Sequence, residues 1–193
     1  MRTMVLFTAL VILVPAFVSS QTIIPDTKGA FGFKLGVIDG TTVKYERKLE
    51  PKFKSKIDTE ASLAFGVFFE QNLYRKIRGQ FSIDVLDLLG DPGSENEQLL
   101  EFSLGPIFRI RSDDGRFEMR TGTSIGHARL AKVFLFKDSD YMILNTQLEV
   151  ALYSLKRAGL IFEFRSFWTL SGGDREYDVS GGPIYVFRFG VIM

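Results

Sequence analysis

The sequence predicts an all-β protein, an eight-stranded antiparallel up-and-down transmembrane β-barrel that follows a cleaved signal peptide. Three observations predict this fold. Eight segments of roughly ten residues alternate apolar and polar side chains, as strands with two unlike faces do. The connections between these segments alternate between long and short, which is typical of membrane barrels. The chain opens with an export-type apolar segment, and no later apolar run is long enough for a spanning helix.

The N-terminal segment predicts export. Arg2 precedes an apolar run from Val5 to Val14, and small residues lead up to Gln21. We predict a signal peptide over residues 1–20, cleaved after Ser20, and a barrel domain over residues 21–193. A retained membrane anchor is the alternative, but the run is shorter than the ~20 residues that a spanning helix needs.

Composition limits the remaining classes. The 193 residues suit one domain, and 24 Lys and Arg against 23 Asp and Glu indicate neither nucleic acid nor an acidic partner. The chain has no cysteine, which excludes disulfides, thiolate metal sites and a lipoprotein anchor. Phenylalanine is abundant, at 19 residues, and aromatic residues favour strands and apolar surroundings.

The first four predicted strands alternate clearly. Ala30–Ile38 has Phe and aliphatic residues on one face and Gly and Lys on the other. Ala61–Leu89 predicts two strands joined by the short turn Tyr74-Arg75-Lys76. Leu99–Arg111 alternates in the same way, although Pro106 lies in its apolar register. Because proline cannot donate to a ladder, Pro106 predicts a weaker strand or a bulge.

The last four predicted strands complete the set. Phe117–Ala128 is the weakest amphipath, because threonines interrupt its apolar face. Met142–Leu155, Leu160–Leu170 and Ile184–Met193 alternate more strongly. Even strand number returns both ends of the chain to the same side of the membrane.

Two connections need a separate prediction. Thr41–Leu49 follows the turn-forming pair Asp39-Gly40 and could form a further strand. A ninth membrane strand would place the termini on opposite sides, so we assign it to a long outer loop with a β extension. Ser171–Gly182 is rich in glycine and acidic residues and predicts a loop.

The polar faces of the strands predict a charge-filled lumen. An eight-stranded barrel is just wide enough inside for side chains to fill, so the charges there should pair. We predict an internal salt-bridge network that plugs and rigidifies the barrel; a narrow ion path is the alternative. The lumen residues are Lys34, Glu70, Arg78, Asp84, Glu101, Arg109, Arg111, Glu118, Arg120, Glu149, Glu163, Arg165 and Arg188.

Periodicity alone does not separate a membrane barrel from a soluble β-sandwich or lipocalin, which also alternates. Three features favour the membrane barrel. The last strand carries aromatic residues in the lipid-facing register. Aromatic residues also fall near the expected membrane interfaces, with Tyr74 at the inner side and Trp168 and Tyr185 at the outer side. Finally, glycines cluster on the charged face and leave room for long ionised side chains.

The segments FGFKLGV, LAFGVFFEQNL…IRGQFSIDVLDL, EFSLGPIFRIR and YVFRFGVIM resemble the eight-stranded outer-membrane β-barrel proteins of the OmpA-like and PorT-like group. The resemblance covers Ala30 to Met193. It implies a Gram-negative outer-membrane location and insertion by the barrel-assembly machinery. Such barrels commonly finish on an aromatic residue, whereas this sequence finishes on Met193, so we expect less efficient insertion.

Candidate chemistry is sparse, and we predict no catalytic, cofactor or metal site. The one histidine, His127, lies in the lipid-facing register near the outer rim, which is similar to lipid A deacylases. Those enzymes carry a serine two residues later, where this chain has Arg129, and Ser124 lies on the opposite face. The acidic turn at Asp113-Asp114 and the group Asp174, Glu176 and Asp178 could contact divalent cations, but solvated turns have the same composition. The basic first loop could meet lipopolysaccharide phosphates or be merely solvated.

Three functions follow as hypotheses. The first is a monomeric, non-enzymatic, porin-like outer-membrane protein with a structural or adhesive role, or one auxiliary to surface assembly or secretion. Its partners would be outer-membrane lipid, lipopolysaccharide and the assembly machinery, with no nucleic acid. The second is a soluble exported barrel that binds an apolar ligand. The third is a lipid A-modifying hydrolase.

Overall fold

The computed structural model describes residues 28–39, 42–47, 54–58, 62–88, 97–132, 139–154, 158–173, 177–181 and 183–193. Within these ranges every regular element is a strand. They are β1 Gly29–Ile38, β2 Thr42–Arg47, β3 Lys54–Asp58, β4 Ser62–Tyr74, β5 Ile77–Leu88, β6 Glu97–Arg111, β7 Phe117–Lys132, β8 Ser139–Tyr153, β9 Gly159–Gly173, β10 Tyr177–Gly181 and β11 Ile184–Ile192. Among the described residues, no helix is long and apolar enough to cross a membrane.

Eight of the strands close into a ring. They pair in the order β11-β1-β4-β5-β6-β7-β8-β9, and β9 pairs with β11 to complete the barrel. All of these pairings are antiparallel. This confirms the predicted eight-stranded up-and-down barrel. We call the end with the connections 75–76 and 112–116 the turn end, and the opposite end the loop end.

The three remaining strands form a β extension at the loop end. β2 pairs with β3 as a hairpin, β10 pairs with β2, and β10 joins β9 through the partners Asp178 and Gly173. The expectation that Thr41–Leu49 lies outside the ring is confirmed for the described residues 42–47. The predicted Ser171–Gly182 loop is wrong in part, because β9 continues to Gly173 and residues 177–181 form β10.

Several strands extend beyond their predicted ends. β6 begins two residues earlier than expected, β7 continues to Lys132, and β8 begins at Ser139. Ladder pairing continues there through polar residues, as between Glu97 and Lys132. The alternation of apolar residues marks only the part of a strand with unlike faces, so it misses such ends. The predicted signal peptide, residues 1–20, and the cluster at Asp174 and Glu176 lie outside the described residues.

Pro106 does not create a bulge. β5 and β6 keep one register through the pair Gly79 and Pro106. Between β6 and β7 the register is the same on both sides of Gly105 and Pro106, although neither residue pairs across this ladder. Proline therefore interrupts one ladder without shifting it, as expected for a residue that lacks an N–H donor.

The seam between β1 and β11 depends on glycine. A Cβ atom at Gly36 would overlap the carbonyl oxygen of Phe187, and it would lie 2.6 Å from Cα of Arg188. Both contacts are to backbone, which cannot move aside as a flexible side chain can. The two strands that close the ring therefore approach each other through a position that only glycine fills without a clash.

Gly36→Ala should destabilise the barrel by about 1–3 kcal/mol, the usual cost of overpacking. The measurement is the free energy of unfolding in urea, with the protein folded into lipid vesicles. Gly79→Ala is the matched control, because its Cβ would meet only Leu73 side-chain atoms, the nearest at 3.2 Å. Equal effects of the two substitutions would contradict the role assigned to the seam.

Candidate functional site: the charged lumen

Twelve of the thirteen predicted lumen residues are buried inside the barrel, each with no more than 6% of its surface exposed. They are six cations and six anions, so their formal charges balance. The thirteenth, Arg111, lies at the turn end, where its side chain is 17% exposed. The alternation of each strand brings all of these side chains to one face, and closure of the ring makes that face the interior.

The register places like charges directly opposite each other at three points. Asp84 of β5 is the cross-strand partner of Glu101, Arg109 is the partner of Arg120, and Glu149 is the partner of Glu163. Like charges directly opposite on neighbouring strands are destabilising. Each of these pairs therefore needs a counter-charge from elsewhere.

Arg165 bridges the first acidic pair. Its Nη1 lies 2.6 Å from Oδ2 of Asp84, and its Nη2 also pairs with Glu101. Arg165 belongs to β9, three strands along the ring from β6 and four from β5. The counter-charge thus reaches across the lumen.

Lys34 and Glu118 bridge the other two pairs. The Nζ of Lys34, on β1, pairs with both Glu149 and Glu163. The carboxylate of Glu118 lies 3.5 Å from Arg109 and 3.5 Å from Arg120. Each cross-strand pair of like charges is therefore held together by one oppositely charged residue.

Further contacts join the three bridges into one network. Arg188 pairs with Asp84 and donates to Glu163, with Nη2 at 2.5 Å from Oε1. Arg120 pairs with Glu70 and lies 3.1 Å from Glu149. Arg78 contacts Glu70 at 3.1 Å, and Arg111 contacts Glu118 at 3.8 Å. All thirteen side chains are connected.

Neutral polar side chains occupy the remaining positions of the network. Gln80 donates to Glu70 at 2.9 Å, and Gln147 donates to Gln80 at 2.8 Å. Asn145 donates to Glu101 at 2.7 Å. These contacts matter because a buried carboxylate needs more hydrogen-bond donors than one cation supplies.

Gly66 provides space for one of the ion pairs. A Cβ at this position would overlap Oδ1 of Asp84 and lie 2.6 Å from Nη1 of Arg188. The absence of a side chain on β4 thus allows Asp84 and Arg188 to meet. This agrees with the expectation that glycines on the charged face make room for long ionised side chains.

An apolar layer lies across the lumen at the loop end. All eight barrel strands contribute to it: Ile38, Ala64, Leu86, Leu99, Ala128, Tyr141, Ile143, Phe167, Ile184 and Val186. These residues share the inward register with the charges but lie near the strand ends. Sequence reasoning missed this layer, although the apolar residues at the ends of otherwise polar faces were a visible signal.

A smaller apolar cluster lies toward the turn end. It comprises Phe68, Ala151, Ile161 and Ile192. Phe68 also contacts the network, since the Nζ of Lys34 lies 4.4 Å from the centre of its ring. The charged network is therefore bounded by apolar side chains on the loop side and partly on the turn side.

The outward face of the barrel is apolar. Among the side chains that the structure describes, twenty-eight large apolar ones are exposed, from 36% for Ile77 to 67% for Leu73. The three predicted interfacial aromatics belong to this set, with Tyr74 62%, Trp168 45% and Tyr185 39% exposed. Tyr74 is at the turn end, and the other two are in the loop-end halves of β9 and β11.

His127 is exposed on the outward face near the loop end. Its Nε2 lies 3.4 Å from Oδ1 of Asp140, and both side chains are more than half exposed. Ser124 points inward, where it accepts from Asn145 at 3.2 Å, so it does not meet His127. Within the described ranges no group of three or more metal-ligating residues is found.

Solved structures share this fold. Neisserial surface protein A superimposes with a TM-score of 0.57 at 11% identity, covering 86% of this chain and 97% of that one. The outer membrane protein OprG from Pseudomonas aeruginosa superimposes with a TM-score of 0.58 at 12% identity, covering 89% and 99%. The chain has the fold of an eight-stranded outer-membrane β-barrel. No protein-family model matches the sequence, and no curated protein matches it.

Asp84→Asn should destabilise the barrel by about 3–5 kcal/mol, because it leaves two buried arginines without their shared carboxylate. Urea unfolding in lipid vesicles measures the loss. Asp140→Asn makes the same chemical change at a side chain that is 62% exposed. It should stay within about 0.5 kcal/mol of the native protein. An unchanged free energy of unfolding in Asp84→Asn would show that the network does not stabilise the barrel.

Proposed function

We propose that the protein is an integral outer-membrane barrel whose lumen is closed by its own side chains. The observation that supports this is the distribution of apolar and charged side chains, which is the reverse of that in a water-soluble protein. Large apolar side chains surround the outside of the eight strands, and twelve charged side chains are buried inside. A protein in water hides its largest apolar surface, whereas a membrane barrel turns it toward lipid.

The membrane orientation follows from the connections. Short turns face the periplasm in outer-membrane barrels, and longer loops face outward. The turn end would then lie at the inner side of the membrane, and the β extension would lie above the outer leaflet. The names of the two structural neighbours, a surface protein and an outer membrane protein, support the same location.

Within that location, we infer a non-enzymatic role that is structural or adhesive, or auxiliary to surface assembly or secretion. The lumen supports this inference because its charged side chains pair with one another. Residues that carry out the function would then lie at the loop end and on the lipid-facing surface. The proposal implies a monomer in contact with outer-membrane lipid and lipopolysaccharide, inserted by the barrel-assembly machinery after export.

The two alternatives have less support. A soluble barrel for an apolar ligand needs an apolar interior, whereas the middle of this lumen holds the charged network. A lipid A hydrolase needs a nucleophile within hydrogen-bond reach of its base. Asp140 could orient His127, but Ser124 lies on the opposite face, and position 129 is an arginine.

Leu104→Arg tests the membrane location. Leu104 is 64% exposed near the middle of β6, so an arginine there would face the centre of the bilayer and cost about 2–4 kcal/mol in vesicles. Leu73→Arg, at the turn end, should cost only about 0–1 kcal/mol. Urea unfolding in vesicles compares the two variants. If both were neutral, as exposed arginines are in water, the proposed location would be wrong.

A closed lumen should not conduct ions. The connected charges fill the middle of the barrel, and the apolar layer crosses it at the loop end. Protein inserted into a planar lipid bilayer should therefore give no steady single-channel steps, while an open porin in the same membrane gives them. Reproducible steps from the folded barrel would favour the ion-path alternative.

A further inference from the structure

The turn between β4 and β5 has an unusual backbone for its sequence. Arg75 and Lys76 are its two central residues, between the paired residues Tyr74 and Ile77. The φ angle of Arg75 is 37°, and it is the only non-glycine residue with positive φ among those described. Two-residue hairpin turns with positive φ at the first central position favour glycine there. A left-handed arginine is strained, and retained strain is a reason to look for function.

Lys28 supplies a third exposed cation at the turn end. The backbone N–H of Asn72, close to the turn on β4, donates to the carbonyl of Lys28 at 2.9 Å. Lys28 thus lies beside the end of β4 that leads into the turn with Arg75 and Lys76. All three residues are exposed, and none has a carboxylate partner within the part of the chain that the structure describes.

The exposed acidic side chains described at the turn end lie on another turn. Asp114 accepts from the Ser112 hydroxyl at 2.6 Å and from the Arg116 backbone N–H at 3.1 Å. These hydrogen bonds, the Ser112 bond first, lower the pKa of the Asp114 carboxyl. Arg116 lies 3.8 Å from Asp114, so this turn partly neutralises itself. Asp113 is exposed on the same turn.

The cations lie at the edge of the apolar outer face. Leu73 is 67% exposed and Tyr74 is 62% exposed. The guanidinium of Arg75 lies 5.3 Å from the centre of the Tyr74 ring, a cation–π contact that keeps it beside the outward face. A lipid whose chains lie on Leu73 and Tyr74 would place its phosphate beside these cations.

We propose that Lys28, Arg75 and Lys76 bind the headgroup phosphate of an anionic phospholipid in the leaflet at the turn end. This inference rests on the proposed membrane location. Arginine presents paired N–H donors that match a phosphate, and the two lysines add charge. The strained turn places two neighbouring cations, Arg75 and Lys76, together at the rim of the barrel.

The test uses the full-length folded barrel in detergent micelles, with native mass spectrometry to measure the retention of phosphatidylglycerol and of phosphatidylcholine. The native protein should retain more phosphatidylglycerol than phosphatidylcholine. Arg75→Gly should weaken phosphatidylglycerol binding about five-fold, because one cation near an anionic surface contributes roughly 1 kcal/mol. Lys76→Gln should weaken it by a similar factor without changing the residue at positive φ.

Arg75→Gly should also raise the urea midpoint of unfolding in phosphatidylcholine vesicles, because glycine fits the turn. Weaker lipid binding together with higher stability is an outcome that a purely structural role of Arg75 would not give. Arg116→Gln is the matched control. It removes one cation from the same end, but that cation is paired with Asp114, so lipid binding should change little.

Three results would count against the inference. Equal retention of the two lipids by the native protein would overturn it, as would unchanged phosphatidylglycerol binding in both Arg75→Gly and Lys76→Gln. An equal loss in Arg116→Gln would show a response to net charge rather than a site. Failure of the native protein to insert into vesicles of either lipid would instead overturn the membrane location.

Discussion

This barrel depends on one kind of interaction. Like charges lie opposite each other on neighbouring strands, and an oppositely charged side chain bridges them. Asp84 and Glu101 are direct cross-strand partners, and so are Glu149 and Glu163. In an open sheet these carboxylates would repel each other. Arg165 and Lys34 reach them only when the sheet curls into a ring. Closure of the barrel therefore completes the neutralisation of these carboxylates.

The apolar residues inside the barrel strengthen this interaction. The layer at the loop end separates the charges from water on that side, and the smaller cluster around Phe68 does so in part at the other end. Attraction between opposite charges grows as water is excluded, but so does the cost of an unpaired charge. The interior is stable because its charges balance and are connected. An interior of this kind leaves the rims and the outer face as the places where the molecule meets others.

Period-2 alternation predicted the eight strands and the residues that share the charged face. The inward direction of that face also required the export segment, the connection lengths and the positions of aromatic residues and glycines. The partners of each charge could not be predicted, because they depend on which residues face one another across a closed ring. Arg165 and Asp84 lie on strands that are not neighbours in the sheet, and no local pattern relates them. The strand β10 was missed for a similar reason, since its pairing with β2 is distant in sequence. The apolar layer was also missed. Ile38 and Leu86 lie in the inward register, but the prediction considered only charged residues as lumen residues.

The connected lumen also constrains how this sequence can change over generations. Arg188 touches Asp84 and Glu163, and each of those touches a further cation. A substitution that removes one charge leaves its neighbours without a partner. Such a substitution should therefore be kept only when a second substitution elsewhere in the barrel compensates for it. Descendants of this chain should therefore drift freely on the lipid-facing side, where one aliphatic residue replaces another at little cost. Inside, they should change in correlated groups whose members are far apart in the sequence.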